Sequence, residues 1–241
     1  MICPRFKSNL LCAIALGAMS LPGCMTMMQQ IKGSGVSTTE TRAVGPFTEI
    51  EASHAVQLHV VIGTPASVEV TTDDNLQPHV ITEVSGSKPK IKMDAGTTTQ
   101  IGVKVRVVTP TLTELDTSGG VTAKVTDLKT DKFKLELSGA SKCTINAMTD
   151  RFDAELSGAS HCTLTGRTDR LTVKCSGASQ FMGADFPSQS VDAEAGGAST
   201  IEVQASDELK AEASGASHVR YVGSPPKLKK EASGASSIGP K

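Results

Sequence analysis

The chain has 241 residues and a formal net charge of −1, with no Trp, one Tyr (Tyr221) and only 3% aromatic residues. A near-neutral balance gives no electrostatic basis for binding nucleic acid. So few aromatics exclude a thick globular core of the usual kind; the abundant Val, Thr, Ser, Ala and Gly point to a thin interior of small and β-branched side chains.

Residues 1–23 read as a targeting segment. Arg5 and Lys7 supply positive charge, Leu10 to Met19 form a short apolar stretch, and Leu21-Pro22-Gly23-Cys24 follows. The stretch is too short to span a bilayer and fits a secretory signal. Its ending resembles the lipobox of bacterial lipoproteins. That resemblance implies acylation of Cys24 as the first mature residue, tethering the protein to a membrane without inserting it. An ordinary signal peptide followed by an incidental cysteine is the other reading. Met25 after Cys24, where Asp would retain a lipoprotein, implies by resemblance to lipoprotein sorting the outer membrane of a Gram-negative bacterium. Residues 24–32 form a polar tether.

Residues 33–114 alternate apolar and polar positions in short runs, as in Val56-Leu58-Val60, Val68-Val70, Ile91-Met93 and Val103-Val105-Val107. Such alternation predicts half-buried strands. Gly63-Thr64-Pro65, Asp73-Asp74-Asn75 and Asp94-Ala95-Gly96 read as turns between them. No helical period is sustained, and the region reads as irregular opening turns and a cap.

From residue 115 to 241 a register locks. Ser-Gly-Ala-Ser begins at Ser138, Ser157, Ser176, Ser214 and Ser233, with looser copies at Ser118 and Gly196; the seven glycines, Gly119 to Gly234, recur every 18 to 20 residues. This period predicts a solenoid, each repeat burying its apolar face on the next. Five residues before each signature stand Phe133, Phe152, Leu171, Val191, Leu209 and Leu228. One before stand Leu137, Leu156, Cys175, Ala195, Ala213 and Ala232. Five after stand Ala123, Cys143, Cys162, Phe181, Ile201, Val219 and Ile238. Like residues stacked above like predict an all-β fold: a single-stranded parallel β-helix of about 19 residues per turn. At ~4.8 Å per rung, seven rungs make a rod on the order of 35 Å. The signature is one corner of each turn. Thr130-Asp131, Thr149-Asp150 and Thr168-Asp169 mark the second. Unbroken parity leaves open that Ser141 and its equivalents point inward.

The signature array, with Phe47-Thr48-Glu49-Ile50, Asp74-Asn75-Leu76 and Val105 to Leu112, resembles the bacterial family labelled putative auto-transporter adhesin, head GIN domain. The resemblance spans residues 33–241. It implies a parallel β-helix on an exported protein, often a lipoprotein, and it supplies no catalytic motif.

Several constellations could carry chemistry. Cys143 and Cys162 share a column on consecutive rungs, about 5 Å apart and within disulfide reach. Side chains on neighbouring parallel strands run alongside one another, which favours free buried thiols. An outward column two before the signature reads Glu136, Glu155, Lys174, Glu194, Glu212, Glu231, beside a mixed column of Lys134, Asp153, Thr172, Asp192, Lys210 and Lys229. Stacked carboxylates could attract a cation or a basic partner, but the lysines can offset their repulsion, so a solvated face is the simpler reading. His161 and His218 lie three rungs apart, ~14 Å, too far for one ion. No metal site or cofactor is predicted. The array leaves no room for long loops around a cleft, and nothing desolvates a carboxylate pair for acid–base work.

The sequence therefore predicts a non-enzymatic envelope lipoprotein that presents flat outer faces as an adhesin or binding module. Its partners would be a membrane through the anchor and an envelope or extracellular glycan or protein. The alternatives are an assembly protein associating through the rod ends as a homo-oligomer and a polysaccharide-active β-helix enzyme with a cleft in residues 33–112.

Overall fold

Apolar and polar residues that alternate over 14 to 16 positions are best satisfied by one long strand with a dry and a wet face. In the computed structural model, which describes residues 30–85 and 88–241, five such strands make the body of a rod: β11 (Thr122–Leu137), β12 (Lys142–Leu156), β13 (His161–Cys175), β14 (Gln180–Ala195) and β15 (Thr200–Ala213). Ahead of them come β1 (Ile31–Lys32), β2 (Ser37–Arg42), β3 (Glu49–Ala52), β4 (Val56–Ile62), β5 (Ser67–Asp73), β6 (Val80–Ser85), β7 (Lys88–Met93), β8 (Thr97–Thr98), β9 (Val103–Thr109) and β10 (Glu114–Thr117). After them come β16 (His218–Val222), β17 (Lys227–Ala232) and β18 (Ser237–Pro240). The result is a parallel β-solenoid of about seven turns with about 19 residues per turn. The leader and Cys24 lie outside the described residues.

The columns stack as the spacing predicts. Phe133 pairs with Phe152, Phe152 with Leu171, Leu171 with Val191 and Val191 with Leu209. All five are buried. From β11 to β14 the strands cross the second corner in register, and the bend shows as two successive exposed residues, such as Asp150-Arg151 and Asp169-Arg170, which reset the parity. Between β14 and β15 the corner also shifts the register, between Ser188 and Ser190. One core residue stands outside every repeat column. Between Gly183 and Pro187 the register shifts, and Phe186 turns inward with its ring 5.7 Å from Phe152, which lies 5.3 Å from Phe133.

The Ser-Gly-Ala-Ser corner breaks the strands and settles the parity question. Its glycines all hold φ between +69° and +78°, the left-handed region that glycine tolerates. They also stack: Ala159 N–H donates to the Gly139 carbonyl at 2.8 Å and Ala178 N–H to Gly158 at 2.7 Å. A Cβ on Gly158 would sit 2.5 Å from the Gly139 oxygen. The second serine points inward and is buried at Ser141, Ser160, Ser179, Ser199 and Ser217. The Ser179 hydroxyl donates to the Ser176 carbonyl at 2.9 Å and approaches that of Leu156 on the rung below at 3.4 Å; Ser217 does the same with Ser214 and Ala195. The Ser179 and Ser217 hydroxyls thus satisfy the Ser176 and Ser214 carbonyls, which the corner leaves outside the ladder, whereas the Leu156 and Ala195 carbonyls keep their ladder bonds.

The N-terminal region is stacked out of chain order. β3 and β4 form one turn beneath β10 and the start of β11, while β7 and β9, later in sequence, form the turn beneath β3 and β4. Three antiparallel strands then close this end: β6 on β7, β5 on β9, and β2 on β5. Two sequence expectations are corrected here. Ile31 and Lys32, read as tether, form β1 against β8. Asp73-Asp74-Asn75, read as a turn between strands, leads into a 3-10 helix (Asp74–His79), and Asp73 itself is fully buried. Its carboxylate accepts hydrogen bonds from Gly35 N–H (2.7 Å), Thr99 Oγ1 (2.5 Å) and Gln100 N–H (3.1 Å), tying two loops to the cap. Those partners, 26 to 38 residues away, leave no local sequence signal.

Candidate functional site

The acidic column is assembled in register as expected: Glu136, Glu155, Lys174, Glu194, Glu212 and Glu231 follow one another up the rod, continued toward the cap by Asp116 and Glu51. It is zipped shut by Lys174 within it and by the lysines beside it. Lys174 reaches Glu194 at 3.2 Å, Lys210 reaches Glu212 at 2.8 Å, and Lys229 reaches Glu231 at 2.7 Å. The hydrogen bond and charge of Lys210 hold Glu212 below the usual carboxylate range, and Glu212 in turn raises Lys210. Within the column, among the described residues, only Glu155 lacks an ion pair. Nowhere among them do three or more His, Cys, Asp or Glu side chains gather closely enough to hold a metal ion.

Cys143 and Cys162 pair in register as the column predicts, but both are free thiols, as is Cys175 one column away. In-register parallel strands project these side chains alongside one another, not toward one another. Burial pushes the thiols of Cys143 and Cys175 up to about 12 and raises Cys162 well above its ordinary value. A thiol so protonated is a poor nucleophile and packs as a small apolar group.

A large concavity lies where the sequence showed only turn formers. Beside the second corner a groove of about 820 Å³ runs up the rod. One wall is Met148, Arg167, Pro187 and Gln204; the other is Asp150, Asp169, Gln189 and Ser206; the floor is Thr149, Thr168, Ser188 and Ala205. With the following loop at Gly223-Ser224 it spans five rungs, ~19 Å at the strand spacing. The floor is internally satisfied: Thr149 Oγ1 donates to Thr168 Oγ1 at 3.0 Å, and Ser188 Oγ to the Phe186 carbonyl at 3.1 Å. On the walls, Gln189 Nε2 donates to Asp169 at 3.0 Å, while the side chains of Asp150, Arg167 and Gln204 have no partner among the described residues. Met148 is 43% exposed. A rigid trough thus offers a free carboxylate, guanidinium and amide beside apolar surface, the mixture that small-molecule and polymer sites use to orient a ligand. The column Met148, Arg167, Pro187, Gln204 repeats no residue type, so the sequence carries no columnar signal for the groove.

The family described as putative auto-transporter adhesin, head GIN domain, matches residues 46–225. The chain belongs to this family. No curated protein matches it in sequence. Among the solved structures that match, three share this fold over most of their length. A putative adhesin from Bacteroides fragilis is 17% identical at a TM-score of 0.83, covering 88% of this chain and 100% of its own. A putative lipid binding protein from Parabacteroides distasonis is 19% identical at 0.73, covering 88% and 99%. A putative adhesin from Parabacteroides merdae is 17% identical at 0.71, covering 88% and 98%. At these identities the likeness establishes the fold. Among the described residues no helix is long and apolar enough to cross a membrane.

Proposed function

We propose that this GIN-domain protein is an exported, non-enzymatic adhesin-like binding module, held at the outer membrane through acylated Cys24, and that the axial groove is its ligand surface. The observation that carries the reading is the groove itself, with unpartnered Arg167 and Gln204 on one stacked wall and Asp150 on the other. Family membership and the adhesin descriptions of similar structures point the same way. The flat acidic face is the weaker surface, because its charges already neutralise one another. Catalysis finds no support: the groove carboxylates Asp150 and Asp169 are exposed to solvent, without the enclosure that acid–base work needs.

The test is a glycan and matrix-protein binding screen on the full chain, followed by two charge-altering variants. Arg167→Glu with Gln204→Ala should cut binding of any ligand found by at least tenfold while the melting temperature holds. Glu155→Lys with Lys174→Glu should leave it unchanged. The opposite pattern would move the site to the flat face and sink the groove assignment. Labelled palmitate should be incorporated by the wild type and not by Cys24→Ala. Assembly through the rod ends has one observation behind it: β17 and β18 pair only downward, with Leu228 43% exposed. Concentration-dependent association abolished by Leu228→Lys would favour it.

A further inference from the structure

At the capped end, on the outer face of the sheet formed by β9, β4, β11 and β12, basic side chains gather. Lys104, Gln57, Thr122 and Lys142 occupy one row across these strands, and Arg106, His59 and Lys124 the next. Strand spacing places the whole cluster within ~15 Å. Glu69 of β5, 3.7 Å from Arg106, is the acid that faces it. Lys104, Lys124 and Lys142 are exposed and have no ion pair among the described residues, in contrast to the lysines of the acidic column. Lys104, Arg106 and Lys124 frame a shallow depression of about 410 Å³ with Leu58 and Val105 among its lining. On a chain of net charge −1 this is a local, unneutralised excess.

Its position is informative. β1 lies against β8, and the chain runs from β8 through residues 99–102 directly into β9 and Lys104. Cys24 precedes Ile31 by seven residues, which reach at most ~25 Å when fully extended. We propose that this face docks on anionic phospholipid headgroups, fixing the rod's orientation on the membrane that carries it. The placement rests on the anchor reading; the headgroup chemistry stands on the exposed lysines alone. Juxtamembrane basic residues gain from the negative surface potential of such a leaflet. Glu51, Glu114 and Asp116 lie on the β3–β10 face, across the core from this patch.

The experiment uses the full chain with Cys24→Ala, so that no acyl group contributes. Its partition is measured onto vesicles of phosphatidylcholine with and without roughly a third of phosphatidylglycerol. Binding should require the anionic lipid, fall about fivefold for each of Lys104→Gln, Lys124→Gln and Lys142→Gln, and vanish near 1 M salt, where screening acts within ~3 Å. All variants share one N-terminal segment, so differences between them belong to this face; unchanged melting temperatures confirm folding. Equal partition of wild type and triple variant overturns the proposal, as does capture by a sulfated polysaccharide without vesicle binding. If palmitate labels wild-type Cys24 but vesicles are ignored, this proposal fails and the anchor reading survives; the reverse result does the opposite.

Discussion

The two ends of the rod treat the same hazard, a row of unpaired strand edges, in opposite ways. At the N-terminal end β2, β5 and β6 run antiparallel over the first turns, and a buried carboxylate, Asp73, pins their loops. At the other end β17 is exposed along its whole length, and defence falls to residue choice: Pro225 and Pro226 precede it, Lys227 and Lys229 line it, and the Lys230 ammonium lies 5.8 Å from the Tyr221 ring centroid. That cation–π contact bends an inward-column lysine over the last apolar layer. The comparison shows that stacking suffices where turns repeat, and that side-chain pins are needed where chain order and spatial order diverge.

The sharpest way to break this comparison uses two glycines with nearly the same φ. Gly96 in the cap has φ +79° and no atom within 4 Å of a would-be Cβ, whereas Gly158 in the array has φ +73° and meets the Gly139 oxygen. Gly96→Ala should cost about 1–2 kcal/mol, the left-handed penalty alone. Gly158→Ala should cost more than about 4 kcal/mol, because the rungs must separate. Equal losses in chemical denaturation would show that the corner stack carries no special constraint.

Next in size is pH. The hydrogen bond from Thr99, opposed by burial and aided by Gly35 and Gln100, holds Asp73 below the usual carboxylate range. Its folded pKa is depressed, so its contribution is present above the unfolded value near 4 and is lost as pH falls through the folded one. Hydrogen exchange should show β2 and β5 opening in acid before β12 to β14, and Asp73→Asn should erase that pH dependence. The array behaves oppositely. Cys143 and Cys175, raised to about 12, contribute stability that is intact below the unfolded value near 8.5 and drains as pH rises toward 12. The alkaline slope of stability should flatten in Cys143→Ala.

The smallest expected effect separates two serines of one column. Ser179 donates at 2.9 Å, whereas the Ser160 hydroxyl has no partner. Ser179→Ala should lose about 1 kcal/mol and Ser160→Ala close to nothing. A shared loss of that size would mean the column acts through packing instead.

What could be read in advance divides along the same line. Columns such as Phe133–Phe152–Leu171 were legible because each turn repeats its neighbour's environment, so spacing alone carries the contact map. The pairing of Glu49 with Glu114 was not, since the intervening strands interrupt any period. Phe186 escaped because a register shift removes it from every column. The groove escaped for a related reason: curvature at the second corner depends on how five rungs lean together, and Thr149-Asp150 looks locally like any turn.

The displaced order of the first turns bears on how the chain folds. Residues 49–62 are sandwiched between strands on both sides, and their upper neighbours arrive 65 residues later. Closing that long loop carries an entropic cost that each array rung, some 19 residues from the last, largely avoids. The late-emerging repeats can therefore nucleate first and serve as the template onto which the earlier residues dock. Pulse-labelled exchange during refolding would show it as protection of β12 to β14 ahead of β3 and β4.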